Sequence, residues 1–226
     1  MAISFSHLDG GNNASPGSSV NTGSITPGSN KLVLVSIASG FSGGGLITPT
    51  ISGCSMTWEL VASDGSNTAG MESFIFRGMA SSPTTGALTI DYGGVSRNFV
   101  KWSVDEGTGM DTSGTNGSGA IIQSNTNFID SGASTGITVT LGAFANSGNA
   151  TFGTVTYSTA GDTVTVGSGF TQLFNDTTTR VQVVEWKNSS DTSVDWTWGS
   201  ATVVVSACAV EISLPRASGT GFFALL

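Results

Sequence analysis

The chain has few charged side chains, a single histidine, two cysteines and five prolines among its 226 residues. Charged residues make up 10% of the chain, whereas an average soluble domain carries roughly 25%. The 7 Lys+Arg against 15 Asp+Glu give a net charge of −8. Nucleic-acid binding needs a basic surface, so this balance argues against a nucleic-acid partner. No run reaches the roughly 18 apolar residues of a membrane helix, so no membrane partner is expected.

The scarcity of histidine and cysteine restricts catalytic and metal chemistry. A Ser-His-Asp triad needs a histidine as its base, and the one segment that resembles a nucleophile elbow, Gly40–Gly44, has no histidine downstream. We expect His7 to be a hydrogen-bonded structural residue. One histidine and two remote cysteines also fail to supply the usual zinc ligands. Cys54 and Cys208 lie in apolar, strand-like segments, which favours buried free thiols over the alternative of one disulfide closing a long loop.

Glycine, serine and threonine are abundant instead, since 32 Gly, 34 Ser and 30 Thr make up about 42% of the chain. Disorder is excluded, because 38% of the residues are hydrophobic and they include 5 Trp and 12 Phe. Most segments alternate with a period of two, and none of ten or more residues has the pattern of an amphipathic helix. Clusters of Gly, Asn, Asp and Ser separate these segments. The predicted fold is all-β: an antiparallel, jelly-roll-like β-sandwich with extended terminal arms.

An internal similarity links the two halves of the chain. Thr57–Leu60 resembles Phe170–Leu173, and each is followed by a strand that ends in a basic residue, Arg77 or Lys187. The spacings are unequal, so the similarity indicates shared topology rather than a tandem repeat. One jelly roll built from two Greek keys is the preferred interpretation, and two small domains are the alternative. The predicted organisation is an N-terminal arm (1–24), a sandwich (25–214) with a possible split near 107–119, and a C-terminal arm (215–226).

No carboxylates are spaced for acid–base catalysis. Asp105 and Glu106 are adjacent and point to opposite faces of a strand, while Glu59 and Glu72 are possible cross-strand neighbours. The acids of 105–111 indicate a solvated turn, because their spacing does not match a calcium loop. We therefore predict no catalytic residue, metal or cofactor, and a protein that is not an enzyme. A glycan-degrading enzyme is a third hypothesis, and it would need two exposed carboxylates about 5–10 Å apart.

Two apolar features are candidate partner-binding sites. Trp196 and Trp198 are two residues apart and therefore share one face of a strand. If exposed they would form a sugar-stacking platform or a protein hot spot, and if buried they belong to the core. A spacer after residue 214 leads to an apolar tip, which we expect to pack on its own sandwich, a sister subunit or a partner; its residues are Phe222, Phe223, Leu225 and Leu226.

Several short motifs follow one another along the chain: Pro27–Val33, Trp58–Val61, Arg77–Ile90, Val104–Gly109, Trp196–Trp198 and Val203–Ile212. Their order resembles a β-sandwich pattern of tailed-phage virion accessory proteins of the capsid cement or decoration type. It is also similar to β-sandwich modules of bacterial surface proteins. The resemblance covers roughly Ile25–Leu214, and it depends on the order of the motifs, since each one alone has little specificity.

This resemblance implies a structural role. The expected function is to decorate or cement a phage capsid by binding the major capsid protein lattice, as a homo-oligomer (dimer or trimer) on the exterior of the virion. No signal peptide is visible at the start of the sequence, which favours the phage over a secreted protein. The alternative is a carbohydrate- or receptor-binding β-sandwich module of a phage tail or cell surface. Exposure of Trp196 and Trp198 would distinguish the two.

Overall fold

The computed structural model describes residues 2–41, 45–65, 70–202 and 204–215. Its regular structure is almost entirely β-strand, and every strand pair is antiparallel. The prediction of an all-β antiparallel sandwich is therefore confirmed. The strands of the first half are β1 (Ser4–Asn13), β2 (Ser19–Ile25), β3 (Leu32–Gly40), β4 (Thr50–Ser52), β5 (Trp58–Gly65), β6 (Met71–Gly78), β7 (Gly86–Asp91) and β8 (Phe99–Thr108).

A turn at Thr115–Ala120 leads into the strands of the second half. They are β9 (Ile121–Ile129), β10 (Ser134–Thr140), β11 (Ala150–Tyr157), β12 (Val164–Val166), β13 (Thr171–Asp176), β14 (Val181–Lys187), β15 (Ser193–Thr202) and β16 (Val205–Ile212). No helix in the described ranges is long and apolar enough to cross a membrane.

The two halves have the same strand order. The first half forms a five-stranded sheet, β1-β8-β3-β6-β5, and a three-stranded sheet, β2-β7-β4. The second half forms β9-β16-β11-β14-β13 and β10-β15-β12, which is the same pattern with eight added to each strand number. The similarity between the halves of the sequence therefore reflects shared topology, as expected. The jelly-roll connectivity stays a prediction.

The sheets stack in four layers, where the sequence predicted one sandwich over 25–214. One core fills the first sandwich (β1–β8), for example between Val35 and Leu88. A second core fills the second sandwich (β9–β16) around Trp196. A third lies between the two five-stranded sheets, which we call the central interface, and there Leu34 and Phe152 are both fully buried. Strands with apolar residues on both faces, such as β3 and β16, make this stacking possible because each face meets another sheet.

The N-terminal region differs from the extended arm predicted over residues 1–24. Strand β1 pairs with β8, and β2 pairs with β7, so this region supplies the edge strand of two sheets. Buried Ile3, Phe5, Val20 and Ile25 hold it in place. Sequence patterns missed β1 because it contains Leu-Asp-Gly-Gly-Asn-Asn, residues that are uncommon in strands. Of the predicted C-terminal arm, only Pro215 lies among the described residues.

Candidate functional site

The side chain of Lys101 is buried where the two sandwiches meet. Its Nζ lies 2.7 Å from Asp176 Oδ1 and 3.3 Å from the carbonyl oxygen of Asp176. Asn12 Nδ2 donates to Asp176 Oδ2 over 2.6 Å, and Thr178 donates through its backbone N–H and its hydroxyl. Burial lowers the pKa of Lys101, against the opposing effect of Asp176. Although burial opposes them, these hydrogen bonds lower the pKa of Asp176 to about 2, so the Asp176 carboxylate is ionised at neutral pH.

A second polar cluster joins His7 to β8. His7 Nδ1 lies 2.9 Å from Asp105 Oδ1 and 3.3 Å from Ser103 Oγ, and Ser103 Oγ donates to Asp105 Oδ2 over 2.8 Å. The hydrogen bond to Asp105 raises the pKa of His7 while burial opposes it, and burial raises the pKa of Asp105. The His7 ring stacks on Phe174 of the second sandwich, and Gly10 leaves room for the Phe174 ring.

This cluster contains the three residue types of a hydrolase triad without the geometry of one. A triad places serine on one ring nitrogen of histidine and the carboxylate on the other, whereas Ser103 and Asp105 both contact Nδ1. Ser103 is also fully buried, so a substrate has no access to its hydroxyl. The arrangement fixes β1 against β8 and Phe174, in agreement with the expectation of a hydrogen-bonded His7.

The third charged cluster closes one end of the first sandwich. Arg97 Nη2 lies 2.8 Å from Glu72 Oε2 and donates to the carbonyl oxygen of Ile47 over 3.0 Å. Both charged side chains are buried, and the guanidinium lies 4.2 Å from the Tyr92 ring centroid. Glu72 also accepts from the Ser39 hydroxyl over 2.6 Å. Strand register places Glu72 opposite Gly65 and Glu59 opposite Arg77, so Glu59 and Glu72 are not a cross-strand pair.

Two carboxylates are buried in the second sandwich without a cation. Glu211 accepts hydrogen bonds from Gln123 Nε2 and Asn149 Nδ2, each over 2.6 Å. Glu185 accepts one bond, from the Gly167 N–H over 3.1 Å, and its other oxygen has no partner in the described ranges. Burial raises the pKa of Glu185 to about 9, so this side chain is a neutral acid at pH 7. Neither Glu185 nor Glu211 is among the residues that line the two clefts described below.

Metal ligation finds no support in the described part of the chain, where no three side chains of His, Cys, Asp or Glu come together. Asp105 is fully buried against His7, and Glu106 accepts from the Gly28 N–H. The two neighbouring acids therefore serve different contacts. Cys54 and Cys208 are both buried and free, which confirms the favoured interpretation of the cysteines.

Among the described residues, two surface clefts are candidate binding sites. One, of about 260 Å³, lies between the sandwiches and is called here the inter-sandwich cleft; its lining residues are Ala14, Asn98, Phe99, Thr179 and Arg180. The other, of about 420 Å³, lies at one end of the second sandwich, and its lining residues are Phe144, Ser147, Ser190, Asp191 and Thr192. Asp191 in this second cleft is already paired with Lys187 over 2.8 Å.

The tryptophan candidates are not at either cleft. Trp196 is fully buried, and Trp198 is 5% exposed. Trp198 stacks on Tyr157 with ring centroids 4.4 Å apart and donates to the Ser134 carbonyl oxygen over 3.0 Å. Both rings fill the second core, so the prediction of a partner-binding face at these two residues is corrected. The other candidates, Phe222, Phe223, Leu225 and Leu226, lie outside the described residues.

Sequence reasoning missed the two ion pairs Lys101–Asp176 and Arg97–Glu72. The two residues of the first pair are 75 positions apart in the sequence and those of the second pair are 25 apart, so no local motif indicates either pair.

No known protein family, curated protein or solved structure matches this chain.

Proposed function

We propose that this chain is a structural virion protein that decorates or cements a phage capsid by binding the major capsid protein lattice. The observation that carries the proposal is that buried ionisable side chains form ion pairs with one another inside the protein. The His7–Asp105, Arg97–Glu72 and Lys101–Asp176 pairs each hold strands or sandwiches together. An acid–base group must be within hydrogen-bond reach of its substrate, and these groups are committed to internal contacts.

The stacking of the sheets also suits a mechanical role. Two sandwiches are joined by the central interface, where hydrogen bonds accompany the apolar contacts. Gln182 Nε2 donates to the Ser36 carbonyl oxygen over 3.1 Å, and Ser73 Oγ donates to the Ser206 carbonyl oxygen over 3.1 Å. These contacts hold the two sandwiches in one arrangement, and a preorganised body of this kind would lower the entropic cost of binding a lattice.

The chain between Ser213 and Pro215 is anchored where the two sandwiches join. The Ser213 N–H donates to the Ala120 carbonyl oxygen over 2.8 Å, and the Asp111 N–H donates to the Ser213 carbonyl oxygen over 2.9 Å. The Leu214 N–H donates to Asn149 Oδ1 over 2.9 Å. Residues 216–226 follow this anchor in the chain, and in this proposal the apolar residues of 222–226 make the lattice contact.

The test compares three chains in their binding to purified capsids that lack this protein. The full chain should bind, a chain without Phe222–Leu226 should lose occupancy, and the F222L/F223L variant should bind because its tip remains apolar. Circular dichroism and unfolding temperature should be the same for all three. Wild-type occupancy by the shortened chain would refute the role of the tip, and failure of the full chain to bind would refute the proposal.

A carbohydrate- or receptor-binding module is the second candidate. It no longer rests on Trp196 and Trp198, because both are buried. The inter-sandwich cleft is the observation that favours it, since ligand sites occur preferentially where two domains meet.

A further inference from the structure

The inter-sandwich cleft is built from three separate loops. Ala14 follows β1, Asn98 and Phe99 lie at the start of β8, and Thr179 and Arg180 precede β14. The first two loops belong to the first sandwich and the third to the second. The cleft therefore exists only because the two sandwiches are held in one arrangement.

The loop that carries Arg180 is fixed by Asp176. This carboxylate accepts from Lys101 and Asn12 of the first sandwich and from Thr178 of its own loop. Arg180 is four positions after Asp176 in the chain, so the ion pair helps to set where this loop lies beside Phe99. Phe99 itself is buried in a small cluster with Ala38, Met71 and Val204. The cleft thus has an apolar floor at the packed Phe99 side chain and a rim that is held by the contacts of Asp176.

Arg180 differs from most of the other cations in the described part of the chain. Arg97, Lys101 and Lys187 are in ion pairs, whereas Arg180 is exposed, forms no ion pair with a described residue and donates to the Thr179 carbonyl oxygen. A guanidinium presents five N–H donors in a planar fork that matches a carboxylate. On a protein with a net charge of −8, an unpaired cation in a cleft marks a place where an anionic group is favoured over neighbouring surface.

We propose that the inter-sandwich cleft binds a sugar acid, with the ligand carboxylate on Arg180 and its hydroxyl groups on Asn98 and Thr179. The amide of Asn98 both donates and accepts, and the Thr179 hydroxyl does the same, which suits the hydroxyl groups of a sugar ring. Phe99 and Ala14 offer apolar contact to one face of the ring. A volume of about 260 Å³ is below the roughly 300–1,000 Å³ of pockets for drug-sized ligands, so one ring unit is the size expected. The inference does not depend on the virion proposal.

Titration of the full chain with galacturonate, galactose and acetate tests this proposal by two-dimensional NMR. Galacturonate should bind in the millimolar range and shift the amide signals of Asn98, Phe99 and Arg180. Galactose lacks the carboxylate and acetate lacks the ring, so each should bind at least about tenfold more weakly. Equal binding of galactose, or equal binding of acetate, would overturn the assignment of a sugar acid. No shifts at these residues with 20 mM galacturonate would overturn the site.

The Arg180→Gln variant should weaken galacturonate binding about tenfold or more, because hydrogen bonds to a charged group are the strong ones. The control is Lys31→Gln, which removes the same charge at a different place. Lys31 lies just before the start of β3, whereas Phe99 pairs with Gly40 at the other end of that strand. This variant should leave the affinity within twofold of wild type. Both positions are at the surface, so unfolding temperatures should match. Equal affinities of the two variants would contradict the role of Arg180.

Discussion

Lys101 Nζ on β8 lies 2.7 Å from Asp176 Oδ1 at the end of β13, and this ion pair joins the two sandwiches of the chain. The Lys101 side chain is fully buried, and that of Asp176 is 10% exposed. Removing one partner of a buried pair leaves an uncompensated charge, at a cost of about 3–5 kcal/mol. The pair therefore connects the packing of the central interface to the position of Arg180 in the inter-sandwich cleft.

The Lys101–Asp176 ion pair should contribute measurably to the stability of the folded chain. Asp176→Asn should lower the free energy of unfolding by about 3 kcal/mol or more, because it leaves the Lys101 charge buried without its partner. Combining Lys101→Met with Asp176→Asn should cost less than the sum of the two single changes, since neither charge is then left alone. Denaturant unfolding of the four proteins in a double-mutant cycle measures the coupling, which should exceed about 1 kcal/mol. Additive single effects would show that the pair is not coupled.

The raised pKa of Glu185 predicts how the free energy of unfolding depends on pH. Burial raises its pKa to about 9 in the folded protein, against an ordinary value of 4.5. Between these values the folded state holds a proton that the unfolded state has released, so raising the pH favours unfolding. The stabilising effect of the protonated side chain is complete below about pH 4.5 and is lost as the pH rises through about 9.

Urea unfolding at pH 5, 7 and 9 tests this dependence. Glu185→Gln keeps the hydrogen-bonding shape without the ionisation, so its stability relative to wild type should increase with pH. Glu59→Gln, on an exposed side chain of β5, removes a carboxylate without this burial and should run parallel to wild type. A constant difference between Glu185→Gln and wild type at all three pH values would contradict the buried neutral acid.

The close packing around Gly153 predicts that a larger side chain at this position would clash with its neighbours in the second sandwich. A Cβ atom at this position of β11 would lie 2.7 Å from Val194 Cγ1 and 2.9 Å from Trp196 Cη2. Because both neighbours are rigid and buried, Gly153→Ala should destabilise the protein by about 1–3 kcal/mol. Gly199→Ala on β15 meets nothing within 4 Å and serves as the matched control. Equal unfolding free energies for the two variants would show that Trp196 does not pack against Gly153.

The sequence predicts some of the individual strands of this fold but not how the sheets stack. The apolar run of β3 predicts a strand buried on both faces, and the structure buries every residue from Leu32 to Gly40. The similarity between Thr57–Leu60 and Phe170–Leu173 marks β5 and β13, which hold equivalent places in the two halves. Local sequence patterns cannot predict how the two five-stranded sheets stack. The stacking depends on contacts between residues more than a hundred positions apart, such as Ser73 and Ser206.

The candidate site was less predictable. The spacing of Trp196 and Trp198 correctly places both rings on one face. Whether that face is buried depends on the five-stranded sheet that packs over it and on β10 and β12, which flank β15 in its own sheet. The inter-sandwich cleft leaves no local signature, since Ala14, Asn98 and Arg180 come from three distant loops. Only the packing of the two sandwiches brings them together.

The central interface predicts that the two sandwiches depend on each other. Separate fragments 1–113 and 114–226 would each expose one five-stranded sheet, with buried residues such as Leu34 or Phe152 on its face. Each fragment alone should aggregate or unfold, and refolding them together should give a 1:1 complex in size-exclusion chromatography with light scattering. Two stable monomeric fragments that do not associate would contradict the account of the interface.

The most direct test of the proposed function is the copy number of this protein in purified virus particles, measured by quantitative mass spectrometry. The account predicts hundreds of copies for each particle, as a capsid lattice requires, and a large loss when Phe222–Leu226 are deleted from a chain that still folds. A handful of copies would place the protein on a tail instead. Its absence from particles would contradict a structural virion role.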